Sequence, residues 1–450
     1  MIPALPAVLL CAVTPRPGPL PCAQEPPAVL PLRARAALRD RWLDERLETL
    51  LPGLMRETGI DLWVIAARED NEDPVLKTLL PATWLSARRR TILILCDRGG
   101  DAPIERLAVA RYDVGTAFRR AWDPGQEPDA WARLAELAAE RDPQHIGLNV
   151  SPTWSLADGL TAGERDGLLA ALPEALRARV VSAEGLAIRW LETRSAGELA
   201  AYPGICRLAH GILAEGLSEA AIEVGLTTTE DLSWWYRERI AERGLETWFQ
   251  PDVSVQRAGG SDHEGGFAQR EGPRVIQPGD LVHVDLGLVY LGLATDMQQH
   301  AYVLRPGESQ APEGLRRGMA AANRLQDLLM AQFAVGRSGN EVLRRALERA
   351  RSEGLEGAVY SHPLGFHGHG AGATIGLWDC QDGVPRTGDW PLHPSTCWSI
   401  ELSATLAVGE WGGQKVRFML EEDAVFDGEV CRFLDGRQTE LWLVPRPEQR

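Results

Sequence analysis

Leu281-Val282-His283-Val284-Asp285-Leu286-Gly287 alternates apolar and polar side chains, and the chain then runs through Tyr290-Leu291-Gly292 to Ala294-Thr295-Asp296. Alternation of period two marks a strand with one face buried. A turn after it predicts a hairpin. Centred between Tyr290 and Leu291, such a hairpin sets Asp285 directly opposite Asp296, with Cβ atoms about 4.5–5.5 Å apart. Two carboxylates that close need a cation between them. The plainer account has one aspartate serving the turn, where the residue is favoured, and the other in water. The pair alone leaves both accounts standing.

Downstream, Ser361-His362-Pro363-Leu364-Gly365-Phe366-His367-Gly368-His369-Gly370-Ala371-Gly372 places three histidines among glycines. Imidazole is the commonest metal ligand, and glycine lets backbone approach a site closely. Cys397-Trp398-Ser399-Ile400-Glu401-Leu402 then puts Glu401 in an expected apolar strand, where an unpaired charge would be prohibitive. A further strand, Val416-Arg417-Phe418-Met419-Leu420, ends in Glu421-Glu422-Asp423. Strand parity gives Glu421 the face of Arg417 and Met419, and Glu422 the face of Phe418 and Leu420. In chain order, Asp, Asp, His, Glu and Glu form a ligand set for two divalent ions, with carboxylates bridging metals about 3.5–4 Å apart.

Seven of the nine histidines lie between His263 and His393. Chemistry is therefore expected in the second half of the chain. The first half alternates helix and strand: leucines at helical spacing over 38–58, apolar runs at 60–65, 91–96 and 107–110, a helix over 129–140 and a strand at 145–149. That pattern predicts an α/β layer domain. At Glu192-Thr193-Arg194-Ser195 the character changes, with long helices expected over 196–218 and 228–243. A length of 450 residues independently predicts more than one domain.

The formal charge of −16 argues against a nucleic-acid partner, since phosphate binding depends on Lys and Arg. Beyond the first two dozen residues no apolar run is long enough for a membrane helix. Residues 1–23 read as a candidate secretory signal, with an apolar stretch at 4–13 and Ala23 before the cut, although the positive start is missing. If it is a signal, the protein is periplasmic or secreted; otherwise it is cytoplasmic. Cys96, Cys206, Cys380, Cys397 and Cys431 lack C-x-x-C spacing and are expected as free thiols.

From roughly residue 190 to 445 the chain resembles the pita-bread metallopeptidases, the family of prolidase, aminopeptidase P and methionine aminopeptidase. Residues 33–188 are more weakly similar to the amino-terminal domain of prolidase and creatinase. The resemblance rests on Asp285-Leu-Gly followed by Asp296, and on Ser361, His362, Leu364, Gly365, His369 and Gly372 in the motif S-H-x-L-G-x-x-x-H-x-x-G. It implies an α/β N-terminal domain (33–188) plus an α+β C-terminal pita-bread (creatinase/aminopeptidase) domain (195–445). It also implies Asp285, Asp296, His362, Glu401 and Glu421 as metal ligands, with Glu401, His369 and His263 in catalysis. Two registers stay open: Gly368-His369-Gly370-Ala371-Gly372 imitates a G-H-G-x-G motif in which His369 is the ligand, and Glu422 competes with Glu421. Asp296-Met297-Gln298-Gln299 departs from the family's D-x-T-R. The implied activity is a homodimeric exopeptidase with two divalent ions (Mn, Co or Zn), cleaving short peptides at Xaa-Pro bonds. The alternatives are a metal-free creatinase-like amidinohydrolase and a binding module without catalysis.

Overall fold

The computed structural model describes residues 27–100, 102–260 and 272–446. The candidate signal at 1–23 and His263 lie outside the described residues.

Leu62–Arg68 is a near-continuous apolar run, as expected of a strand covered on both faces. It pairs antiparallel with Arg90–Cys96 and parallel with Ile146–Leu148, inside a six-stranded sheet. Trp63, Ile65, Leu93 and Leu95 face the helices Leu32–Thr49, Leu51–Thr58 and Glu184–Glu192. Val64, Ala66, Ile92 and Ile94 face the helix Ala130–Arg141. The first layer domain closes there.

The second half begins at a helix, Ala196–Gly216, whose start is fixed by a reciprocal cap between Ser195 and Glu198. Thr228 and Asp231 cap the next helix, Thr229–Glu242, in the same way. Arg46, buried in the first domain, ties the halves together by donating to Glu198 at 2.8 Å and to the Thr193 carbonyl at 2.6 Å. In the second half, Leu281–Leu286 lies between Asp252–Gln256 and Met297–Val303 in a four-stranded sheet. Val282, Val284, Leu286, Met297, Ala301 and Val303 pack toward the first helix pair. His283, Asp285, Gln298 and His300 occupy the other parity, so one face of this sheet is apolar except for Gln299 and the other carries polar side chains.

The hairpin register differs from the sequence expectation. Tyr290 pairs with Leu293, leaving a two-residue turn at Leu291-Gly292. Both residues have positive φ, 58° and 81°, the conformation of a type I′ turn. Gly292 therefore fixes the centre one residue later than expected. Gln298, not Asp296, stands opposite Asp285. Two residues before Gln298, Asp296 approaches Asp285 on the diagonal.

A second helix pair, Glu313–Met330 and Gly339–Ser352, covers the strands Leu402–Val408 and Gln414–Leu420. Gly318 on the first of these helices lies flat against the buried Phe418 ring. A Cβ there would come within 1.9 Å of a ring carbon. In an exposed helix Gly→Ala gains up to about 1 kcal/mol, but overpacking a dense core costs about 1–3 kcal/mol. At a 1.9 Å overlap the second effect wins. Gly318→Ala should therefore lower the thermal midpoint, and a raised midpoint would show that Phe418 can move aside.

No helix among the described residues is long and apolar enough to cross a membrane. The described cysteines are all free, four of them buried.

Candidate metal centre

Ser361 prepares the site from below. Its hydroxyl accepts from the Glu401 backbone N–H at 2.9 Å and donates to the Glu401 carbonyl at 2.9 Å. Glu401 sits in the break between the strands Thr396–Ser399 and Leu402–Val408, rather than within one strand as expected, and Ser361 satisfies the backbone groups the break exposes.

His362, next in sequence, directs Nδ1 to the Pro363 carbonyl at 3.1 Å. With the proton on Nδ1, Nε2 presents a lone pair. That nitrogen is buried and has no hydrogen-bond partner. Around it stand Asp296 Oδ2 at 3.5 Å, Glu421 Oε1 at 3.6 Å and Glu401 Oε2 at 3.9 Å. A lone pair facing three carboxylates is repulsive unless a cation lies among them. Ligands about 2.0–2.2 Å from one ion lie roughly 3–4 Å from each other, so the gap has the size of a divalent ion. Asp285 Oδ1 is likewise buried without a partner. Asp285, Asp296 and Glu421 can bring their oxygens within 4.8 Å of one another, as can the ligand atoms of His362, Glu401 and Glu421. The two groups share Glu421.

Electrostatics agree with the geometry. Burial and the neighbouring Glu421 charge hold the Asp285, Asp296 and Glu401 carboxyls well above their ordinary range. Without positive charge these acids resist ionisation. The donor set, four carboxylates and one imidazole, suits divalent ions of borderline to hard character.

Residues 204–425 match the model of metallopeptidase family M24. That domain belongs to this pita-bread family. Among solved structures, the chain is similar to an X-Pro aminopeptidase from Thermotoga maritima, with a TM-score of 0.62 and 15% identity over 87% of this chain and 100% of that one. It is also similar to an Xaa-Pro dipeptidase from Bacillus anthracis, with a TM-score of 0.58 and 15% identity over 91% and 99%. A dipeptidase from Pyrococcus horikoshii gives 0.56 and 19% over 90% and 99%. At these identities the likeness concerns the fold. No curated protein sequence matches the chain.

In this M24 domain Glu422 turns away from the cluster. It accepts from Gln299 Nε2 and the Gln438 backbone N–H, both at 3.0 Å, and meets His210 Nε2 at 2.6 Å. Burial disfavours the charged imidazole, but Glu422 and Asp435 outweigh it and lift the His210 pKa to about 10. Glu422 thus has its own cation.

His369 lies at the mouth, its ring perpendicular to His362 at 4.6 Å and to Trp248 at 5.1 Å. Burial and the neighbouring His362 push its pKa down to about 4. It can approach Asp296 and His362 closely enough to share an ion with them, but it does not face Glu401 and Glu421 as His362 does. His367 points elsewhere, lining a cavity of about 220 Å³ between the domains with Arg46 and Lys77.

Several residues at the site were not singled out from sequence. Ser399 donates to Glu421 Oε1. Asp423 accepts from the Asp296 backbone N–H at 3.1 Å and from the Cys206 thiol at 3.5 Å, holding Asp296 in place. Gln298 bonds two of the carboxylates at once. Its place directly opposite Asp285 was the available signal, and it became visible only in the true register.

Proposed function

We propose that this chain is a two-metal exopeptidase that cleaves short peptides at Xaa-Pro bonds. Asp285, Asp296, His362, Glu401 and Glu421 would hold the ions, drawn from Mn, Co or Zn. The observation that carries the reading is the orphaned His362 Nε2 facing oxygens of Asp296, Glu401 and Glu421. The Xaa-Pro preference is supported by the names of the Thermotoga X-Pro aminopeptidase and the Bacillus Xaa-Pro dipeptidase, which share the fold.

Held by these residues, two divalent ions would supply Lewis-acid chemistry, a lowered pKa for water and a polarised scissile carbonyl. The chain's own groups supply the rest. Glu401 takes a proton from the attacking water and passes it to the leaving nitrogen. His369, neutral near pH 7, donates to the carbonyl oxygen as charge develops there. His263 is assigned the second such contact with the substrate.

Purified protein supplied with each metal in turn, assayed on Xaa-Pro dipeptides and Xaa-Pro-Yaa tripeptides, tests the proposal. Turnover with about two ions per chain supports it. A protein that takes up no ion overturns it in favour of a metal-free amidinohydrolase or a binding module. His369→Ala should lower kcat by on the order of 10²–10³, as for removal of one oxyanion donor, with metal content unchanged. Loss of an ion in that variant would instead make His369 the imidazole ligand.

A further inference from the structure

We infer that Gln298 is a positioning residue for the metal centre: one amide selects which oxygen of Glu401 and which oxygen of Glu421 is presented to the ions. This rests on the metal-centre reading above.

Gln298 is the second residue of the strand Met297–Val303, stands opposite Asp285 and is fully buried. Every polar atom of its side chain is engaged. Nε2 donates to Glu401 Oε1 at 2.6 Å and to Glu421 Oε2 at 2.7 Å, while Oε1 lies 3.0 Å from His283 Nε2. The orientation of a side-chain amide follows from its partners. Flipped, the amide would aim its oxygen at two carboxylates, so the NH2 group must face them. His283 Nε2–H then donates to Gln298 Oε1, and His283 Nδ1 is left to the Ser254 hydroxyl at 3.4 Å. The order of donors runs from Ser254 through His283 to Gln298 and ends on the two acids.

The backbone fixes Gln298 beside one of its targets. Gln298 N–H donates to the Glu421 carbonyl at 3.0 Å, and Glu421 N–H returns a bond to the Gln298 carbonyl at 3.3 Å. The amide therefore cannot drift from Glu421.

Each carboxylate has two oxygens. Gln298 takes Oε1 of Glu401 and Oε2 of Glu421. The oxygens that Gln298 leaves, Glu401 Oε2 and Glu421 Oε1, are those 3.9 and 3.6 Å from His362 Nε2, and Ser399 donates to the second of them. A single planar group with two N–H bonds thus orients both acids toward the same point. A hydroxyl has one proton to donate, so a threonine, expected here from the family pattern D-x-T-R, could serve only one of them. The departure at position 298 is in this light a replacement part.

Outer residues that orient metal ligands typically account for 10–100-fold in metal affinity. Gln298→Met keeps the volume and removes both donors. Titrating Mn²⁺ into chelator-treated full-length protein by calorimetry, we expect the wild type to bind two ions. In Gln298→Met the weaker-binding isotherm should show a 10–100-fold loss for at least one ion, while the melting midpoint of the chelated protein stays near that of the wild type. Wild-type affinity for both ions in this variant overturns the inference and leaves the metal centre intact. A wild type that binds no ion defeats the underlying reading instead. Should Gln298→Met fail to fold, Gln298→Asn gives the same test, because its amide is one methylene too short to reach both acids, and unchanged affinity there is equally decisive.

Discussion

Replacing Asp285 by asparagine, or Glu401 by glutamine, should abolish hydrolysis while leaving the metal-free protein more stable than the wild type. The two halves of this expectation have one cause. Asp285 Oδ1 is buried and unpartnered, and burial, then Glu421 and Asp252, raise the pKa of its carboxyl. Glu401 is raised by burial, then by Glu421 and Asp285. An amide of the same shape removes one negative charge from a crowded group, which relieves repulsion in the absence of ions and removes a ligand in their presence. Lewis-acid polarisation contributes several kcal/mol to a transition state, so its loss lowers the rate by roughly 10³-fold or more. Elemental analysis, an Xaa-Pro peptide assay and thermal melts in chelator would read the three consequences. Wild-type turnover in either variant would remove that residue from the proposed centre, and a fall in the metal-free melting midpoint would show that the carboxylate supports the fold on its own account.

The same charge crowding explains which parts of the molecule could be read from sequence. Strands such as Leu62–Arg68 and Arg90–Cys96 are legible because burial on both faces demands an apolar residue at nearly every position. The helix Ala196–Gly216 is legible because Ser195 and Glu198 announce its start. Asp285, Asp296, His362, Glu401 and Glu421 stand out as polar residues in apolar runs, and the structure brings them together. The details that escaped depend on partners distant in the chain. The hairpin centre turns on Leu291 adopting positive φ, which an aliphatic residue rarely does and periodicity cannot announce. The break that carries Glu401 exists because Ser361, from another strand, satisfies its backbone. Parity separates Glu421 from Glu422, but the fate of Glu422 is decided by His210 on a helix more than two hundred residues earlier. Gln298 escaped because an amide carries no charge and follows no ligand spacing. Its importance lies wholly in what it touches.

Stripped of divalent ions, the protein should lose stability as pH rises, and added Mn²⁺ should restore more of it the higher the pH. Asp285, Asp296 and Glu401 have folded-state pKa values raised above the ordinary 3.8 for Asp and 4.5 for Glu, chiefly by burial and by Glu421. In the unfolded chain they titrate near those ordinary values. Between the two sets the folded state binds more protons than the unfolded state, so stability falls with pH through that interval. The favourable contribution is complete below about pH 4 and disappears as the folded protein is forced to ionise. Metal ions compete with those protons for the same oxygens, so their advantage grows as the protons leave. At a free-ion concentration one hundred times Kd, each site adds about 2.7 kcal/mol. Paired melting curves with chelator and with Mn²⁺, taken from pH 5 to pH 8.5, should therefore diverge toward alkaline pH. Parallel curves would mean that the carboxylates titrate as exposed groups do. A chelated protein that gains stability toward pH 8.5 would mean that some cation of the chain itself already neutralises the cluster.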